Sequence, residues 1–166
     1  MSKYKNKRKT NFLESIPKIS LDNKDDTLTI KCKFNFAYFD NSQDAGDDFM
    51  DWSEAELVKL LNKIKEFSKN SLEYWQRQPI GTGKHRSNVF EIYDRFPIHS
   101  DFTHPKHVPH QIFWGRFRLE GSVRLVGFVI PEEYHDKFHE KTGVRFDKNT
   151  FYVVFLDKNH RFYKTR

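Results

Sequence analysis

The sequence predicts one α+β domain, an N-terminal strand and helices packed on an antiparallel β-sheet. Three observations carry this expectation. Leu28, Ile30, Cys32, Phe34 and Phe36 alternate with polar residues, the period of a half-buried strand. Leu57, Leu60, Leu61, Ile64 and Phe67 fall on one helical face. Residues 112–163 then hold several strand-like apolar runs separated by turn residues.

Taken in order, residues 1–25 read as a flexible basic arm and 26–166 as the folded domain. After the strand at 28–36, residues 40–56 contain seven acids and no basic residue. Ser53 with Glu56 fits a capping box, and the acids suit the positive end of a helix dipole. The helix runs on, with a break near Asn70, through Leu72 and Trp75 until Pro79 stops it. Gly81-Thr82-Gly83 is a turn, and residues 89–93 are a short strand or a helical turn. Four histidines with Pro97, Pro105 and Pro109 make 97–110 a long irregular loop, a kind of segment that often carries function. Residues 112–119 and 123–130 form a hairpin about the turn Glu120-Gly121-Ser122. Pro131 opens a short helix to about residue 141. Residues 151–156 are a central strand buried on both faces, and 160–163 a last edge strand.

Composition fits a folded chain. Hydrophobic residues make up only 37% of the 166, but 17 are Phe, and each large ring buries much area. The longest apolar runs, such as 125–130, are too short to span a bilayer, and residues 1–11 lack the apolar middle of a signal peptide. One cysteine, Cys32, allows no internal disulfide. These features point to a cytoplasmic protein with no membrane partner. The net charge of +6 is uneven: residues 1–18 carry six basic side chains and one acid. Such a segment attracts polyanions without choosing among them, or simply keeps the chain soluble.

The chemistry centres on the hairpin. Arg116 and Arg118 are two apart and share a strand face, while Phe117 and Leu119 point towards a core. A tight turn brings Arg124 near Arg118. Three guanidinium groups on one face either hold an anion, since each planar fork matches a phosphate, or form a solvated face with Glu120 pairing one of them. Further on, His160 titrates near neutral pH, and Tyr163 can donate a proton or bind a phosphate oxygen.

The pattern Arg116-x-Arg118, a tight turn, Val123-Arg124-Leu125-Val126, Tyr152-Val153-Val154-Phe155 and His160-x-x-Tyr163 resembles the RelE/ParE-like toxin superfamily over residues 112–163. That resemblance implies a RelE-like fold with helices before the sheet. It implies a metal-independent endoribonuclease, an mRNA-interferase-like toxin of a toxin–antitoxin or defence system. RNA, free or ribosome-bound, and an antitoxin protein would be its partners, and no cofactor is needed. Arg118, Arg124, His160 and Tyr163 become the catalytic candidates. Arg116, Lys158, Lys84, His85 and Arg161 become the RNA-binding ones. Cleavage by the 2′-hydroxyl needs a base, an acid for the leaving 5′-oxygen, and cations for the charge on phosphorus. A non-catalytic nucleic-acid- or protein-binding module would keep the arginine face without needing His160 or Tyr163. The sequence departs from the superfamily in its extra N-terminal residues, its long loop at 79–110 and its insertion at 131–148.

Other signals are weaker. Lys84-His85-Arg86 after a glycine turn suits a phosphate but lacks the full phosphate-loop pattern. His104, His107 and His110, with His135 and His139 four apart on the expected helix, hint at zinc. No cysteine is near and no HExxH motif occurs, so a neutral histidine-rich surface is the simpler reading. The acids from Asp40 to Asp51 misplace the glycine of a calcium loop. Trp114 and the strand Phe residues read as core before they read as base-stacking groups.

Overall fold

The computed structural model describes residues 6–16, 21–22 and 27–164. Its centre is a run of apolar strands that no single face could satisfy. β5 (Phe113–Arg118) and β6 (Arg124–Val129) form the expected hairpin, with Arg118 opposite Arg124 and Arg116 opposite Val126. β7 (Thr150–Asp157) lies antiparallel to β6, with Arg124 opposite Asp157. A bulge between Val126 and Gly127 bends this pair. Gly127 is required there, because a Cβ would stand 2.0 Å from the carbonyl oxygen of Tyr152. β4 (Phe90–Tyr93) borders β5, and β1 (Lys33–Asn35) runs parallel to β7. The order is β1-β7-β6-β5-β4, and a small ribbon of β2 (Pro79–Ile80) and β3 (Ser87–Asn88) stands apart.

The helices form where capping and periodicity agree. α1 (Lys7–Ser15) lies within the expected arm and buries no side chain. Most of α2 (Glu54–Phe67) follows from its capping box: Ser53 N donates to Glu56 Oε2 (2.8 Å), and Glu56 N donates to Ser53 Oγ. After a break, Ser71 caps α3 (Leu72–Gln76). Leu60, Phe67, Leu72 and Trp75 pack on Phe117, Leu125, Phe151 and Leu156 of the sheet. Phe117 stacks on Phe67 and Phe90, with centroids 4.7 and 4.5 Å apart. Cys32 lies at this core's edge, and burial pushes its thiol up to about 12, far from a reactive thiolate.

The second sheet face is also covered. Phe102 and Val108 from the long loop and Phe162 pack on Trp114, Val126 and Phe155. β6 beyond Arg124 and β7 before Asp157 are therefore apolar on both sides, which is why they read as near-continuous runs. No helix among the described residues is long and apolar enough to cross a membrane.

Three expected elements take other forms. The strand at 28–36 shrinks to β1, preceded by a 3₁₀ turn at Leu28–Ile30, and it makes the sheet mixed instead of purely antiparallel. Leu28 and Ile30 stay outside, so their alternation has no face to bury. The helix at 131–141 is one 3₁₀ turn, Glu132–Tyr134; Asp136 takes φ 65° and Phe138 bridges Arg145. Its only large apolar residues there, Tyr134 and Phe138, are exposed, leaving no stripe to hold a helix. The edge strand at 160–163 is absent: the carboxylate of Asp157 collects the N–H groups that a strand would offer to a ladder.

Candidate functional site

Strand register gathers the site. Arg116, Arg118 and Arg124 share one sheet face, with Glu91 opposite Arg116 and Asp157 opposite Arg124. This face is not the open one that the sequence suggests. Arg116 is 8% and Arg124 5% exposed, at the margin of the second core.

Arg116 donates from Nη2 to Glu91 Oε2 (2.7 Å) and from Nε to the hydroxyl of Tyr93 (2.5 Å). Its Nη1 is buried and has no partner among the described residues. Arg124 donates from Nη1 to the carbonyls of Gly121 and Val123, both at 2.8 Å, which fixes its guanidinium. Its Nε is buried without a partner in the same sense. Burial, then the charges of Arg116 and Arg118, push the Arg124 pKa down to about 10, while Asp157 opposes them. Arg124 thus stays cationic at neutral pH. Arg118 is half-buried and its Nη1 lies 3.4 Å from Ser87 Oγ of β3.

Asp157 organises the turn beside this cluster. Fully buried, it accepts from the N–H groups of Asn159 (3.2 Å), Arg161 (2.9 Å) and Phe162 (2.9 Å). The curl holds His160 at φ 56°, a conformation a non-glycine residue adopts only when its surroundings impose it. Burial, then the charges of Arg124 and Arg116, lower the His160 pKa below its ordinary value. Tyr163 stacks on Tyr93, rings 5.0 Å apart and 2° from parallel. Burial raises the Tyr93 hydroxyl pKa.

Strand register therefore brings Arg116, Arg118 and Arg124 together, Tyr163 joins them through Tyr93, and His160, on the curl that Asp157 holds, feels the charges of Arg124 and Arg116. Two other candidates are tied elsewhere. Lys158 reaches α2, where its ammonium pairs with Glu56 (3.2 Å), meets Asp51 O and lies over the Trp52 ring. Arg161 pairs with Asp101 (3.0 Å) and donates to Asp44 O. Lys84 is exposed in the 3₁₀ turn Gly83–His85, and the side chain of His85 lies outside the described residues. Glu91, Tyr93 and Asp157 are the site groups that the sequence reading missed. The alternation Phe90-Glu91-Ile92-Tyr93 was a signal for the first two, since a polar pair two apart on a strand shares a face.

The histidines do not assemble. His104 and His110 stack with each other, 4.5 Å apart, His107 bonds the carbonyl of Tyr38, and His135 and His139 share no helix. Among the described residues no three His, Cys, Asp or Glu side chains form a metal-holding group. Trp114 is 1% exposed and belongs to the core. The acidic run serves folding: Asp48 and Asp51 cap the turn Phe49–Asp51, and Asp47 accepts from Lys158 N. Set beside known proteins, the chain matches no family model, no curated protein and no solved structure.

Proposed function

We propose that the arginine face binds the phosphodiester backbone of RNA and that the protein cleaves it as a metal-independent endoribonuclease, a RelE-like toxin of a toxin–antitoxin or defence system. The observation that carries the reading is a pair of arginines, each more than nine-tenths buried, whose Arg116 Nη1 and Arg124 Nε have no hydrogen-bond partner among the described residues. Leaving such a donor unpaired costs about 1–3 kcal/mol, and an anion held beside the two guanidinium groups would offset part of it through their charge. A phosphodiester presents two non-bridging oxygens, and each can accept from a guanidinium fork.

The chemistry follows from the neighbours. The neutral imidazole of His160 takes the proton of the 2′-hydroxyl, the new O2′–P bond forms, and the P–O5′ bond breaks. The products are a 2′,3′-cyclic phosphate and a 5′-hydroxyl, whose proton comes from water at the rim. A lowered pKa keeps His160 in the base form at neutral pH. Arg124 and Arg118 stabilise the charge that grows on phosphorus, so the reaction needs no divalent cation. Arg116, tied to Glu91 and Tyr93, positions the backbone.

Incubation of RNA with the protein in EDTA tests this. Cleavage should persist, and fall about 10²–10³-fold in Arg124→Ala, with Arg124→Lys, which keeps the charge but not the fork, recovering part of it. Tight binding without cleavage assigns the alternative, a binding module. Loss of cleavage in EDTA overturns the metal-independent mechanism.

A further inference from the structure

We infer that the ring of Tyr163 is a stacking platform for an unpaired nucleobase of the bound strand, which narrows the substrate to single-stranded RNA or loops. The inference rests on the anion-site reading for its position, but not on cleavage. Tyr163 was expected to move protons; its surroundings give the ring, not the hydroxyl, the larger part.

The platform is built from below. Tyr93 sits on β4 opposite Trp114, and its hydroxyl accepts from Arg116 Nε, which locks the ring angle. Tyr163 lies parallel on it and has no other ring contact among the described residues. One face of the ring lies on Tyr93, and the residue is still 40% exposed. Its neighbours are fixed: Phe162 is 1% exposed in the second core, and Lys164 N donates to His99 O (3.0 Å). Little rotamer freedom remains to be lost on binding.

A rigid, half-open aromatic ring mounted through one tyrosine on a buried arginine has the two parts that single-stranded nucleic acid needs. Cationic donors hold the backbone, and a π-face receives a base. A paired base in a duplex has both faces occupied by its neighbours, so the partner strand must be unpaired. Every base has a π-face, so the platform selects strandedness and not sequence.

The test measures affinity for a six-nucleotide single-stranded DNA, which lacks the 2′-hydroxyl nucleophile, and for its abasic counterpart at one salt concentration. Wild type should prefer the base-bearing oligomer. Tyr163→Ala should weaken that oligomer about 5- to 150-fold and leave the abasic one unchanged, while Tyr163→Phe keeps both affinities. Equal losses on the two oligomers, no loss, a loss in Tyr163→Phe, or no wild-type preference overturns the platform. Cleavage is read separately on unmodified RNA. A Tyr163-dependent preference with RNA left intact refutes the nuclease and keeps the platform; cut RNA without that preference does the reverse.

Discussion

At the scale of residues, His160 is the group whose titration the account depends on. Burial, then the charges of Arg124 and Arg116, disfavour its imidazolium, so the base form survives to a pH below the ordinary histidine value of about 6.5. Cleavage should therefore rise with pH through a midpoint below that value, and a pH–rate profile measures it. The sign for stability is the same. A histidine whose folded pKa is depressed binds fewer protons folded than unfolded. Its contribution is intact above about pH 6.5 and is lost as pH falls through the folded value. Denaturant midpoints at pH 7 and pH 5 should differ less in His160→Gln than in wild type.

At the scale of elements, the turn after β7 makes the site. Asp157→Ala removes the acceptor of three N–H groups, that of Phe162 buried and those of Asn159 and Arg161 part-buried, and the carboxylate facing Arg124. It should cost about 3–5 kcal/mol in urea unfolding. Gly127→Ala should cost about 3 kcal/mol, because its Cβ meets the Tyr152 carbonyl at the bulge. The hairpin and β7 were legible almost to their ends, since apolar runs bounded by turn residues leave few alternatives. The register placing Arg118 opposite Arg124 followed from the tight turn alone. The capping box of α2 was legible for the same local reason. What stayed hidden was set by distant partners. Residues 28–36 lose most of their strand because Cys32 N bonds Asn70 O and Asn149 Nδ2 bonds Ile30 O. The curl at 158–162 needs the buried Asp157 carboxylate, which reads in sequence as an ordinary turn residue. Lys158 and Arg161 neighbour His160 in the chain, yet that curl sends them to Glu56 and Asp101.

At the scale of the whole molecule, both sheet faces are buried, one under helices and the other under the long loop and Phe162. The arginines stand beside this second cover, Arg116 and Arg124 more than nine-tenths buried and Arg118 half-buried. This placement keeps their charges poorly solvated, so an anion meets them at a low local dielectric where attraction is strong. Binding of a single strand through three phosphate contacts should weaken with salt at a slope near −2 in a plot of log affinity against log salt. Fluorescence titration between 50 and 200 mM salt would measure that slope, and Arg124→Ala should flatten it. The most direct measurement is the mass of the RNA fragments released in EDTA. The account predicts 2′,3′-cyclic phosphate and 5′-hydroxyl ends, absent in His160→Ala. Fragments ending in 5′-phosphate and 3′-hydroxyl, or RNA left whole by folded wild-type protein, would contradict it.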